Sequence, residues 1–177
     1  MQITPQQLLL ILPRARKAPS AIFDALNQAM ARYSINTPAR AAAFLAQVGH
    51  ESGHLCYLRE IWGPTEAQKR YEGRKDLGNV VPGDGKRFLG RGLIQVTGRD
   101  NYAKTGIALG LPLLEQPELL EQPTHAADSA GLYWQQRGLN ELADAGKFET
   151  ITRRINGGLN GQAERVALWE AAKKVLA

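Results

Sequence analysis

The segment from Thr37 to Gly53 constrains this chain most, because its punctuation and periodicity both demand a helix with one end set into a core. Thr37-Pro38 offers an N-cap followed by proline at the first helical position, and Gly53 is a natural stop. At about 100° per residue, Ala41, Phe44, Val48 and Glu51 fall on one face. Three of these are apolar and the fourth is a glutamate. A carboxyl among apolar groups resists ionisation and can keep a transferable proton near neutral pH. The plainer alternative makes Glu51 the last polar residue of a fraying helix, tied to a nearby arginine. Glu60 then supplies a second carboxylate in different sequence surroundings. Two carboxyls in unlike settings are what acid–base hydrolysis of a sugar chain requires.

The remaining segments predict a mainly α protein. Thr4-Pro5 with Gln7 forms a capping box for a helix that stops near Pro13. Ser20 is placed to cap a second helix running to Tyr33, with Ile22, Ala25, Leu26 and Ala29 inward. Thr65 and Gln68 make another capping box opening a short helix towards Gly73. From Gly73 to Gly92 glycines, Pro82 and charges accumulate, which reads as a long surface loop of the kind that is usually functional or disordered. Helical patterning returns over 100–110, 115–122, 124–138, 140–145, 147–155 and 162–176. Only Phe88–Thr97 has strand character, so one small β-hairpin is expected, beside a cleft between two helical lobes. No internal repeat or low-complexity tract appears.

At 177 residues, length alone favours a single domain over two. No apolar run approaches the roughly 18–20 residues that span a bilayer, so stable membrane insertion is not expected. The start has no basic region, apolar core and cleavage site in series, so no secretory signal is read there. Cys56 is the only cysteine, which rules out internal disulfides and suits a reducing cytoplasm. The net charge of +5 and pI near 9.5 imply polyanionic partners. Nucleic acid is not expected, because the basic residues are scattered and no DNA-reading motif appears. Bacterial envelopes are also anionic polymers.

Three further stretches carry chemistry. Between Gly90 and Tyr102, an extended backbone would point Leu93, Gln95 and Thr97 one way and Ile94 and Val96 the other. That places an amide and a hydroxyl side by side, suited to a water or a sugar hydroxyl, with Gly90 and Gly92 permitting close approach. The alternative is a short hairpin ending in a Thr97-capped helix. A phosphate loop is excluded because no Gly-Lys-Ser/Thr follows. Asn156, before Gly157-Gly158, is either an ordinary helix stop or a ligand contact. Arg165 shares a face with Leu168, Trp169, Ala172 and Leu176, so its guanidinium either finds a buried carboxylate, with Glu51 as the expected neighbour, or snorkels at the stripe's edge. His50-Glu51-Ser52-Gly53-His54 matches H-E-x-x-H, but Gly53 interrupts the helix and no aligned third ligand follows, so no metal site is read. His54 is expected as an exposed turn residue.

Taken together, these stretches resemble glycoside hydrolase family 19, the class of plant-type chitinases and of related bacteriophage and prophage endolysins. The matching pieces, in order, are His50-Glu51-Ser52, Arg59-Glu60, Gly90 to Thr97 with Asn101-Tyr102, Ile155-Asn156-Gly157-Gly158, and Glu164 to Trp169. The resemblance implies a lysozyme-like fold, with Glu51 as general acid and Glu60 as the base that activates water. It further implies that His50, Gln95, Thr97, Asn101, Tyr102 and Asn156 bind water or sugar and that Arg165 supports the acid. The reaction would invert the anomeric centre, without metal or organic cofactor. Plant members carry disulfides and a longer stretch between the glutamates, and they have an acidic residue where this chain has Asn160.

The resulting expectation is one catalytic domain over 1–177 with no separate wall-binding module, acting as a monomer on the β-1,4 glycan strands of peptidoglycan. It would be an endolysin that stays in the host cytoplasm until a holin-type factor opens the membrane. A chitinase is the next reading, then a lytic transglycosylase, which needs no second carboxylate. An inactive wall-binding or lysis-accessory protein is the reading from another class.

Overall fold

A computed structural model describes all 177 residues. The chain forms ten α-helices: α1 Pro5–Ile11, α2 Ala21–Arg32, α3 Pro38–Glu51, α4 Glu66–Lys69, α5 Asp84–Arg87, α6 Arg99–Leu109, α7 Pro123–Gln136, α8 Leu139–Asp144, α9 Phe148–Asn156 and α10 Gln162–Leu176. The capping boxes at Thr4/Gln7 and Thr65/Gln68 both form, and Thr37 caps α3 through the Arg40 N–H. Ser20 sits at the N-cap of α2 but makes no side-chain cap, because its own backbone is already helical (φ −56°, ψ −36°).

Helix α3 is the axis of the large lobe. Every residue from Ala41 to Gly49 is buried, so neighbours cover its whole circumference. Four alanines and a glycine in that run let other helices approach closely, and α10 packs along it. Helix α2 packs on α7, and Phe44 meets Trp134 edge to face, with ring centres 5.3 Å apart. The Trp134 indole N–H donates to Asn140, whose amide donates to the Tyr33 carbonyl, so this core has its polar groups paired.

A second, smaller core holds Phe88, Tyr102, Leu113 and Leu120, backed by Val96, Leu111 and Leu114. The two cores give the two lobes expected from the sequence. Leu93 and Ile94 belong to the large one and Val96 to the small one, so the chain crosses between lobes there.

That crossing is not the extended strand its alternation predicts. Gly92 (φ +80°) and Gln95 (φ +56°) both take the left-handed conformation and roll the segment into turns. The expected hairpin is therefore reduced to one antiparallel pair, Arg91 and Val96, which exchange both backbone hydrogen bonds. Leu93 does not share a face with Gln95 and Thr97; it is fully buried. The region from Gly73 to Gly92 is also more ordered than its composition predicts. It contains a 3-10 turn at Lys75–Leu77 and the short α5. Asp84 is 1% exposed and accepts from Arg99 at 2.8 and 2.6 Å, while the Glu72 carboxylate accepts from the Gly83 and Gly85 N–H groups.

Candidate active site

Glu51 is the last residue of α3, and its Oε1 accepts a hydrogen bond from Arg165 Nη2 at 2.5 Å. Arg165 comes from the first turns of α10 and is 1% exposed. The neighbour relation read from the two helical faces is thus present, and the snorkelling alternative is not. Glu51 consequently meets a guanidinium, not only the apolar groups of its stripe. A buried arginine must have all its donors satisfied. Nη1 donates to Gln47 Oε1 at 2.5 Å and Nε to the Asn160 carbonyl at 3.2 Å. The Gln47 amide in turn donates to Thr152 Oγ1 on α9 at 2.8 Å. Because Asn160 serves Arg165 through its backbone, the change from an acidic side chain there leaves this contact intact. No protein group bonds Glu51 Oε2, and the side chain is 21% exposed.

Glu60 is held differently. Its Oε1 accepts from the Gln68 amide at 2.9 Å and the Tyr71 hydroxyl at 3.2 Å, and Oε2 accepts from the Gly90 N–H at 3.0 Å. The Glu60 N–H donates back to the Gly90 carbonyl at 2.8 Å. Gln68 reaches Glu60 because its Oε1 is already fixed by the Thr65 and Gly63 N–H groups. The capping residue of α4 is therefore also the orienting residue of the carboxylate. Burial, followed by the nearby Glu60 charge, pushes the Tyr71 phenol up, so this donor stays protonated.

Gly90 is where the remaining polar atoms gather. A Cβ there would lie 2.6 Å from Gln95 Oε1 and 3.3 Å from both Glu60 Oε2 and Thr97 Oγ1. Only glycine leaves this space open. Gln95 donates to the Gly92 carbonyl and Thr97 to the Gln95 carbonyl, so both are oriented by the crossing segment; Thr97 does not cap α6. Gln95, Thr97 and Asn101 line a cavity of about 360 Å³ where the lobes face one another, closed on the other side by Tyr133 of α7 and by Arg137, which caps that helix. Burial pushes the Tyr133 phenol up, with Arg137 lowering it and Glu51 adding to the rise.

Two expectations need correction, those for Tyr102 and His54, while His50 and Asn156 each hold a protein partner of their own. Tyr102 is fully buried in the small core, donating to the Leu89 carbonyl at 2.6 Å and accepting from Arg91, so it cannot meet a ligand. His50 Nδ1 is engaged by Glu164 at 2.7 Å, and the ring lies against the backbone of Gly161, where a Cβ would come within 2.2 Å of it. Asn156 accepts from the Asn160 N–H at 3.3 Å, which is the turn-closing role. His54 is 8% exposed and not at the surface, because its left-handed backbone (φ +63°) turns it inward towards Glu164. No group of three or more His, Cys, Asp or Glu side chains is arranged to hold a metal. Gln47, Gln68, Tyr71 and Tyr133 were not read as site residues. Gln47 was legible, standing one turn before Glu51 on the same face; the others had no such mark.

Residues 28–144 match the family model described as chitinase class I. The chain is 33% identical to a glycosyl hydrolase family 19 domain-containing protein of Haemophilus influenzae, over 91% of this chain and 90% of that protein. It is 42% identical to an endochitinase of Arabidopsis thaliana, over 66% of this chain but only 39% of the plant protein. Among solved structures, chitinase C of Streptomyces griseus superposes with a TM-score of 0.76 at 27% identity, covering 98% of this chain and 76% of that one.

Proposed function

Since the chain belongs to glycoside hydrolase family 19 and has its lysozyme-like helical fold, we propose that Glu51 and Glu60 hydrolyse a β-1,4-linked amino-sugar glycan by an inverting acid–base mechanism. The observation that carries this reading is the unlike setting of the two carboxyls. Glu51 presents an unbonded Oε2, from which a proton can pass to the glycosidic oxygen, and Arg165 stabilises the carboxylate left behind. Glu60 accepts from three donors, the acceptor form from which a general base starts, and Gln95 and Thr97 stand beside it to hold a water.

Peptidoglycan is the proposed substrate, with residues 1–177 acting as one monomeric catalytic unit. Its net charge of +5 suits an anionic envelope. The proposed role is that of an endolysin, retained in the host cytoplasm until a holin-type factor opens the membrane; the lone free cysteine suits that compartment. No helix is long and apolar enough to cross a membrane. Chitin is the second reading, favoured by the endochitinases among the relatives.

The test is hydrolysis of purified peptidoglycan and of chitooligosaccharide by the wild type, Glu51→Gln and Glu60→Gln. Both variants should lose at least about a hundredfold on whichever glycan is cut. Activity retained in both would overturn the mechanism, and anhydro products with Glu60→Gln active would indicate a transglycosylase. Mass spectrometry of the new reducing ends identifies the bond.

A further inference from the structure

The cavity between the lobes carries a charge that an uncharged glycan would not use. None of its thirteen lining residues is Asp or Glu, whereas Lys104 of α6 and Arg137, at the C-cap of α7, stand at its rim. Both are exposed, and neither is among the cations paired with a carboxylate. Arg137 is nonetheless fixed, because its guanidinium lies 3.5 Å over the Tyr133 ring. Tyr133 is itself anchored by its hydroxyl to the Arg154 carbonyl at 3.3 Å. Stacking occupies the face of a guanidinium and leaves its N–H edge free for a planar acceptor. An oriented cation loses less freedom on binding, so this is a preorganised anion contact. Gln95, Thr97 and Asn101 line the same cavity and can take the neutral hydroxyl and amide groups of a sugar.

We propose that Lys104 and Arg137 form a specificity site for a carboxylate substituent on the glycan, so that the enzyme selects acid-bearing amino-sugar chains over plain N-acetylglucosamine polymers. The site rests on the reading of Glu51 and Glu60 as the hydrolytic pair and adds which glycan that pair receives. Two carboxylate sources share this chemistry: the lactyl ether acid of a muramyl residue whose peptide is absent, and the acidic groups of the peptide where one is attached through that lactyl group.

The test compares kcat/KM on three substrates: intact peptidoglycan strands, strands whose peptides have been removed by an amidase, and a neutral chitooligosaccharide. Lys104 has no intramolecular ion-pair partner, so Lys104→Gln and Lys104→Glu report on the ligand, with thermal melts confirming folding. The ratio of acidic to neutral substrate should fall about tenfold in Lys104→Gln, as for one lost charge-assisted contact, and further in Lys104→Glu. Arg137→Gln should shift the same ratio in the same direction. A shift seen with the peptide-free strands assigns the lactyl carboxylate, and one confined to intact strands assigns the peptide. An unchanged ratio, or equal losses on all three substrates, overturns the specificity site while leaving the hydrolytic pair standing. A folded wild type that cuts none of them overturns both.

Discussion

Gln47 separates two jobs that a single arginine must do at once. Arg165 is buried, so its charge needs compensation, and it must also present one N–H to Glu51. Buried Thr152 accepts from the Gln47 amide nitrogen, which leaves the oxygen facing Arg165. Gln47→Leu keeps the size but strands Arg165 Nη1, while Thr152 still donates to the Phe148 carbonyl, and should cost about 1–3 kcal/mol in denaturant unfolding. Arg165→Ala should cost more, about 3 kcal/mol, towards the lower end for a broken buried pair because Glu51 is partly exposed. The two variants should differ in another way. Gln47→Leu leaves the Arg165–Glu51 contact in place and should lose more stability than activity, whereas Arg165→Ala removes that contact and should lose both. Glu51 and Arg165 could be matched from sequence because each occupies a fixed position on a helical face. Glu60 could not be given its partners, since Tyr71 and Gly90 reach it through loop geometry that no periodicity encodes.

Among the elements, α5 shows how a glycine-rich stretch becomes structured. Asp84 opens the helix and accepts from Arg99 of α6 and from the Val81 N–H, tying the loop to the wall of the cavity. The Arg99 hydrogen bond holds the Asp84 carboxyl below its ordinary value of 3.8. A lowered folded-state value means that this stabilisation is present in full above the unfolded value and is lost as pH falls through the folded one. The hydrogen-exchange protection factor across 73–92, taken against the unfolded chain at each pH, should therefore stay constant from neutral pH down to about that value and fall below it. Asp84→Asn should open the segment about tenfold to a hundredfold more often already at neutral pH, matching about 1.5–3 kcal/mol for a hydrogen bond to a charged group. Composition alone made this region a loop because α5 is a single turn, held by a partner that follows it in the chain and by nothing periodic. The same limit explains the crossing segment. Its alternation was read correctly as residues but wrongly as backbone, because the left-handed turns at Gly92 and Gln95 override a period of two.

For the whole molecule, the positive charge acts over distance and the cleft acts on contact. Attraction to an anionic envelope should weaken as the Debye length shrinks from about 10 Å at 0.1 M salt to about 3 Å at 1 M. Lysis of permeabilised cells should fall steeply across that range, while hydrolysis of a neutral chitooligosaccharide, which relies on hydrogen bonds in the cleft, should change little. Equal sensitivity would place the salt effect on the fold or on the carboxyls. The two lobes were foreseeable from helix punctuation, but the way they are joined was not. Leu93 and Ile94 are rooted in one core and Val96 in the other, with Gln95 and Thr97 suspended from the same few bonds. Such a bridge is a shared mount: the polar atoms beside Gly90 are located by both cores at once, so loosening either core, by Leu93→Ala in one or Val96→Ala in the other, should misalign the same amide and hydroxyl.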